Sequence, residues 1–139
     1  MSRNNLILVV GVIIVAAVVI LNLDLNTEKK TETAEIKIGI SLGFTGPLES
    51  LAPAMNQGAQ MAISEVAESN ALLGGSKVAA VTGDSTCADT AAAVATGERL
   101  VTAENVNAIV GAMCSGAAQA VLEAVAVPNG IVMISGSAT

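Results

Sequence analysis

Ser115 beside Cys114, a second cysteine at position 87, and a hydroxyl-rich stretch from Ser135 to Thr139 are the residues of this 139-residue chain whose types and spacing could do chemistry. The chain has no histidine, which removes the commonest general base and the commonest zinc ligand. Two cysteines cannot fill a four-ligand structural zinc site. A nucleophilic Ser or Cys would need a lysine or carboxylate as its base, and no such arrangement stands out in the sequence. The expectation is therefore a protein with no catalytic residue, no metal and no cofactor. Glycines at 39, 43 and 46 follow an apolar stretch, but their spacing is not the G-x-G-x-x-G of a dinucleotide loop. Gly74-Gly75-Ser76-Lys77 precedes a strand where a Walker loop should follow one.

What these residues suit is binding. Cys114-Ser115-Gly116 opens a helical stretch, so the Ser115 hydroxyl and the following amides sit at the positive end of a helix dipole, where an anion is favoured. The same geometry serves a plain N-cap, and the sequence leaves both readings open. Ser135-Gly136-Ser137-Ala138-Thr139 reads as a polar turn or as hydroxyls lining a site, and hydroxyls beside an anion site suit a zwitterion. Cys87 and Cys114 are 27 residues apart, each just past a strand; behind an export signal such a pair forms a disulfide, or else stays as two buried thiols.

The elements that must hold these residues alternate. Glu35 to Leu42 changes from polar/apolar alternation to a fully apolar run, as a strand does on entering a sheet covered on both faces. Met55, Ala59, Ala62, Ile63 and Val66 then recur at helical spacing, with Ser50 as the expected cap, Pro53 near the first turn and Gly74-Gly75 as the expected end. Strand Lys77 to Thr82, helix Asp89 to Ala103, strand Asn107 to Gly111, helix Ser115 to Ala126 and strand Ile131 to Ser135 complete the pattern. Strand, helix, strand, helix predicts an α/β fold with a doubly wound parallel sheet, whose ligand-facing rim is built from the loops at the carboxyl ends of the strands. The chain stops in the last of these loops, which reads as one part of a longer protein.

Ahead of this unit, Leu6 to Leu21 is an unbroken apolar run preceded by Arg3, a signal peptide or a membrane anchor occupying residues 1–25 as an N-terminal hydrophobic helix. No A-x-A cleavage site follows it, which favours an anchor with the amino terminus in the cytoplasm. Residues 26–34 are polar and charge-mixed, a flexible tether, and the foldable domain is 35–139. From Glu35 onward nine acids face only Lys37, Lys77 and Arg99, so nucleic acid is an unfavourable partner.

Ile36-Lys-Ile-Gly-Ile, Thr45-Gly46-Pro47, Gly58-Ala59, Gly83-Asp84-Ser85-Thr86-Cys87, Gly111-Ala-Met-Cys114-Ser115 and Met133 to Thr139 occur in an order that resembles the type I periplasmic binding proteins for leucine, isoleucine and valine. The resemblance covers Glu35 to Thr139, and the two cysteine contexts are its most specific element. It implies the first part of one of two α/β lobes that close on a solute, and a non-enzymatic substrate-binding component of an ABC-type importer that docks on an inner-membrane permease. It further implies that Cys87 pairs with Cys114. The Ser115 hydroxyl and nearby amides would receive an amino acid's carboxylate, while the Ser137 carbonyl and Thr139 hydroxyl meet its ammonium. Leu51 stands where the family often has an aromatic residue on the first rim loop, and Ser137 where a smaller residue is common. A periplasmic location follows, with the protein held to the inner membrane if residues 6–25 stay attached. The alternative is a membrane-anchored ligand-sensing receptor that uses the same lobe.

Overall fold

In a computed structural model of the protein, residues 34–72 and 75–139 are described. The expected signal or anchor (residues 1–25) and all but the last residue of the tether (26–34) lie outside them. Among the described residues, no helix is long and apolar enough to cross a membrane.

Four parallel strands form one sheet in the order β2-β1-β3-β4: β1 Glu35–Leu42, β2 Lys77–Asp84, β3 Ala108–Gly111 and β4 Val132–Ile134. The first strand lies at the centre because its apolar half must be covered on both faces. Ile40 and Leu42 point to one face and pack with Ala52, Met55, Ala59 and Ile63 of helix α1, Ala52–Glu68. The other face belongs to α2, Thr90–Glu98, and α3, Ser115–Val121, through a buried cluster containing Ala93, Leu100, Ile109, Ala117, Val121 and Val125. Gly39 and Gly83 sit beneath Leu100, so that a Cβ on either would lie 3.2 or 3.4 Å from its Cδ1. Without side chains there, a leucine from the connecting helix can lie flat on the sheet.

The helices depart from the simple periodic reading in three places. α1 ends at Glu68, before Gly74-Gly75, because the Ser69 hydroxyl donates to the Val66 carbonyl and Asn70 turns left-handed at φ 53°. Its N-cap is Leu51 rather than Ser50, with no side-chain hydrogen bond, and Pro53 occupies the first turn. The helices begun by α2 and α3 each continue through a π-helical turn, Arg99–Ala103 and Leu122–Ala126. The second run goes on through Val127–Asn129 until Gly130 ends it at φ 65°.

The two helices touch at Gly97, where an added Cβ would stand 2.9 Å from Val121 Cγ1. Asp89 caps α2 by accepting from the Ala91 and Ala92 amides at 2.8 and 3.2 Å. The start of α2 is thereby held just past the end of β2, on the rim.

Candidate functional site

At the carboxyl ends of the strands, four loops are tied to one another by contacts between residues far apart in the chain. Asp84, the last residue of β2, is the most connected group. Its Oδ1 accepts from the amides of Phe44 at 3.0 Å, Thr45 at 3.3 Å and Thr86 at 2.9 Å, and its Oδ2 accepts from the Thr45 hydroxyl at 2.7 Å. Burial alone would raise this carboxyl's pKa. The Thr45 hydroxyl and the amides of Thr86, Thr45 and Phe44 outweigh that effect and hold it below the ordinary aspartate range.

Two residues on, Cys87 is joined to Cys114 with their Cα atoms 5.6 Å apart. Gly43 lies against this bridge; a Cβ there would come 3.1 Å from Cys87 Sγ. Its amide also points at Met113 Sδ, 3.2 Å away. Cys114 is the N-cap of α3, so Ser115 is the first residue of the helix rather than its cap.

The last loop is fastened to the third. The Ser135 hydroxyl donates to the Ala112 carbonyl at 2.7 Å and accepts from the Ala138 amide at 3.0 Å. The Ser137 hydroxyl donates to the Met113 carbonyl at 2.8 Å. Ser115 Oγ accepts from the Thr139 amide at 3.1 Å, and its own proton has no acceptor among the described residues.

Ser115 and Thr139 are thus brought together, 24 positions apart in the chain, on the wall of a depression of about 390 Å³. Ala118, Gln119, Leu122, Met133, Ser135 and Ala138 complete its lining. Ser137 lines a separate space of about 90 Å³ with Met55, Ala59 and Met113, on the α1 side of the sheet. Leu51 is 52% exposed at the start of α1 and lines neither.

No lysine or arginine borders the larger depression, so an anionic group entering it would meet the hydroxyls of Ser115, Ser135 and Thr139 rather than a basic side chain. Its lining is mixed, with the side chains of Ser115, Gln119, Ser135 and Thr139 beside Leu122 of the π-helical turn and Met133 of β4. Among the described residues, no group of three or more His, Cys, Asp or Glu side chains could hold a metal ion. Sequence reasoning missed the roles of Asp84 and Ser135. An Asp-x-Thr at a strand end is a recognisable turn signature, whereas nothing local marks Ser135 as the fastener of two loops.

A periplasmic binding protein family model matches residues 35–139, the whole of the sheet and its rim. The chain belongs to the periplasmic binding protein family. That family consists of solute-binding proteins rather than enzymes. The branched-chain amino acid transporter substrate-binding protein LivJ from Streptococcus pneumoniae, solved in complex with isoleucine, is 34% identical with a TM-score of 0.67 over 76% of this chain. The leucine-binding protein LivK from Thermotoga maritima is 26% identical with a TM-score of 0.64 over 75%. A solute-binding protein from R. palustris, in complex with 4-hydroxybenzoate, is 25% identical with a TM-score of 0.63 over 76%. The chain spans 29%, 28% and 27% of these three proteins, less than a third of each. No curated protein matches the chain.

Proposed function

We propose that the protein is the extracytoplasmic substrate-binding component of an ABC-type importer, and that it binds a branched-chain amino acid or a similar small zwitterion for uptake. The observation that carries this reading is the pairing of Ser115 and Thr139 on the wall of a depression without basic residues, in a chain of this family. In this reading the free proton of Ser115 and the amides opening α3 hold the solute's carboxylate. The Thr139 hydroxyl holds its ammonium, and the Ser137 carbonyl and Leu51, which lie outside that depression on the α1 side, meet the part of the solute that projects across the rim. Neutral donors suit a net-neutral solute, because charge-assisted hydrogen bonds fix both ends without leaving an unpaired protein charge when the site closes.

The partners in this proposal are the amino acid and an inner-membrane ABC permease. The location is the periplasm, with residues 6–25 tethering the protein to the inner membrane where they are retained. Calorimetric titration of the intact protein with L-isoleucine, L-leucine, L-valine and 4-hydroxybenzoate tests the reading. Saturable binding of at least one branched-chain amino acid, tighter than that of 4-hydroxybenzoate, is expected. Binding of the aromatic acid alone would replace the proposed ligand class.

A further inference from the structure

Leu51 and Ser115, the proposed contacts from the first and third rim loops, lie on separate stretches of chain, and their spacing must be set by something between them. We propose that Asp84 is the positioning residue that sets it: its carboxylate latches the first rim loop to the second, which the disulfide joins to the start of α3.

The contacts connect the start of the first rim loop to Ser115. Asp84 accepts from two consecutive amides and one hydroxyl of the first loop, at Phe44 and Thr45, and from the Thr86 amide of its own loop. One residue beyond Thr86, Cys87 is bonded to Cys114, which immediately precedes Ser115. Phe44, the chain's only aromatic residue, packs against the cluster of Ile40, Leu42, Ala52 and Met113 that Cys87 and Cys114 also border.

Three amides converge on Oδ1 and the Thr45 hydroxyl takes Oδ2, so both carboxylate oxygens are engaged in holding the two loops. The carboxylate acts on a solute through the loops and does not touch it. A carboxylate suits this work because one oxygen accepting several amides is stabilised when it is charged. Thr86 adopts φ 40°, a left-handed conformation rare for a β-branched residue, and its amide is one of those the carboxylate holds. The latch therefore holds a bend that the second loop would not favour by itself.

The effect on a solute rests on the solute-binding reading; the latch itself does not. The test uses the intact protein as parent, Asp84→Ala and, as a milder change, Thr45→Val, which removes only the hydroxyl bond to Oδ2. Two measurements are made: hydrogen exchange at the Phe44 and Thr45 amides without solute, and calorimetric affinity for L-isoleucine at a temperature where circular dichroism shows each variant folded. Asp84→Ala should speed exchange at both amides and weaken binding by at least about tenfold, because a loop left free must be ordered by the ligand itself.

A residue serving only global stability would lower the melting temperature and leave the affinity of the folded protein unchanged. That result, or unchanged exchange at Phe44 and Thr45, overturns the proposal. Should Asp84→Ala fail to fold, the same two outcomes are read from Thr45→Val, with a loss of about three- to tenfold expected for one charge-assisted bond at an exposed site. If the parent itself binds no amino acid, the ligand assignment falls, and the exchange measurement alone then decides whether the latch exists.

Discussion

Replacing Ser115 with alanine removes two interactions of different value. The first is internal: Ser115 Oγ accepts the Thr139 amide at 3.1 Å, in a part of the rim open to solvent. Water can take over that amide, so the loss to folding should stay near the ordinary net value of one hydrogen bond, about 1 kcal/mol. For a domain of this size that lowers the melting temperature by roughly 4 to 8 °C at most. The second is the bond its free proton would donate to a solute carboxylate in a closed site. A hydrogen bond to a charged group is worth about 1.5 to 3 kcal/mol, so Ser115→Ala should weaken amino-acid binding by roughly 10- to 150-fold. Ser115→Thr keeps the hydroxyl and should remain within a few-fold of the parent. Isothermal titration calorimetry of the intact protein with L-isoleucine, supported by thermal melts, separates the two effects. If the alanine variant binds as tightly as the parent while its melting temperature falls, Ser115 is a fastener of the last loop and has no role in solute binding.

Three further outcomes follow from the contacts of the bridge, the core and the latch. Breaking the Cys87–Cys114 bridge by replacing both cysteines with serine should cost about 3.5 kcal/mol on the chain-entropy estimate for a 27-residue separation, read as a lower denaturant midpoint. An unchanged midpoint would show that the bridge constrains nothing in the unfolded chain. Leu100→Ala, which empties a fully buried position beneath Gly39 and Gly83, should destabilise by about 2 to 5 kcal/mol; a loss below 1 kcal/mol would mean that the two connecting helices collapse into the space. Because the folded pKa of Asp84 is depressed, its contribution to stability is fully present above the unfolded aspartate value of about 4 and is lost as pH falls through the folded value. Acid titration of parent and Asp84→Asn should accordingly show their stabilities converging below about pH 4, with parallel curves as the contrary result.

The sheet was readable because each of its strands announces itself locally. Glu35 to Leu42 reads as a strand entering a two-sided core from its own apolar run, and the structure places it at the centre of the sheet over the same eight residues. Helix ends were less readable where a side chain overrules a conventional signal. The Gly74-Gly75 pair is a strong breaker, yet Ser69 and Asn70 end α1 first through bonds that only a helix already formed can offer. The π-helical turns after α2 and α3 were invisible for a related reason. An i to i+5 bond such as Glu104 N to Arg99 O, at 3.1 Å, leaves the apolar periodicity almost unchanged.

The rim is harder to read because the contacts between its loops join residues 23 to 70 positions apart, and no short window of sequence contains both partners. Ser115 illustrates the difficulty. Its position beside a helix start was legible, but whether it caps the helix or faces outward depends on the chain entering at Cys114 with φ −105° and ψ 136°, which makes Cys114 the cap and releases the serine hydroxyl. Asp84 shows the converse, since one side chain gathers donors from two loops and its type alone announces only a surface acid. Hydroxyls and carboxylates that fasten loops and those that hold solutes are the same residues chemically. What separates them is how many of their hydrogen-bonding positions the protein itself has already used. Asp84 accepts four hydrogen bonds from Phe44, Thr45 and Thr86, whereas Ser115 accepts once and keeps its proton, which is why the first is assigned to positioning and the second to the solute.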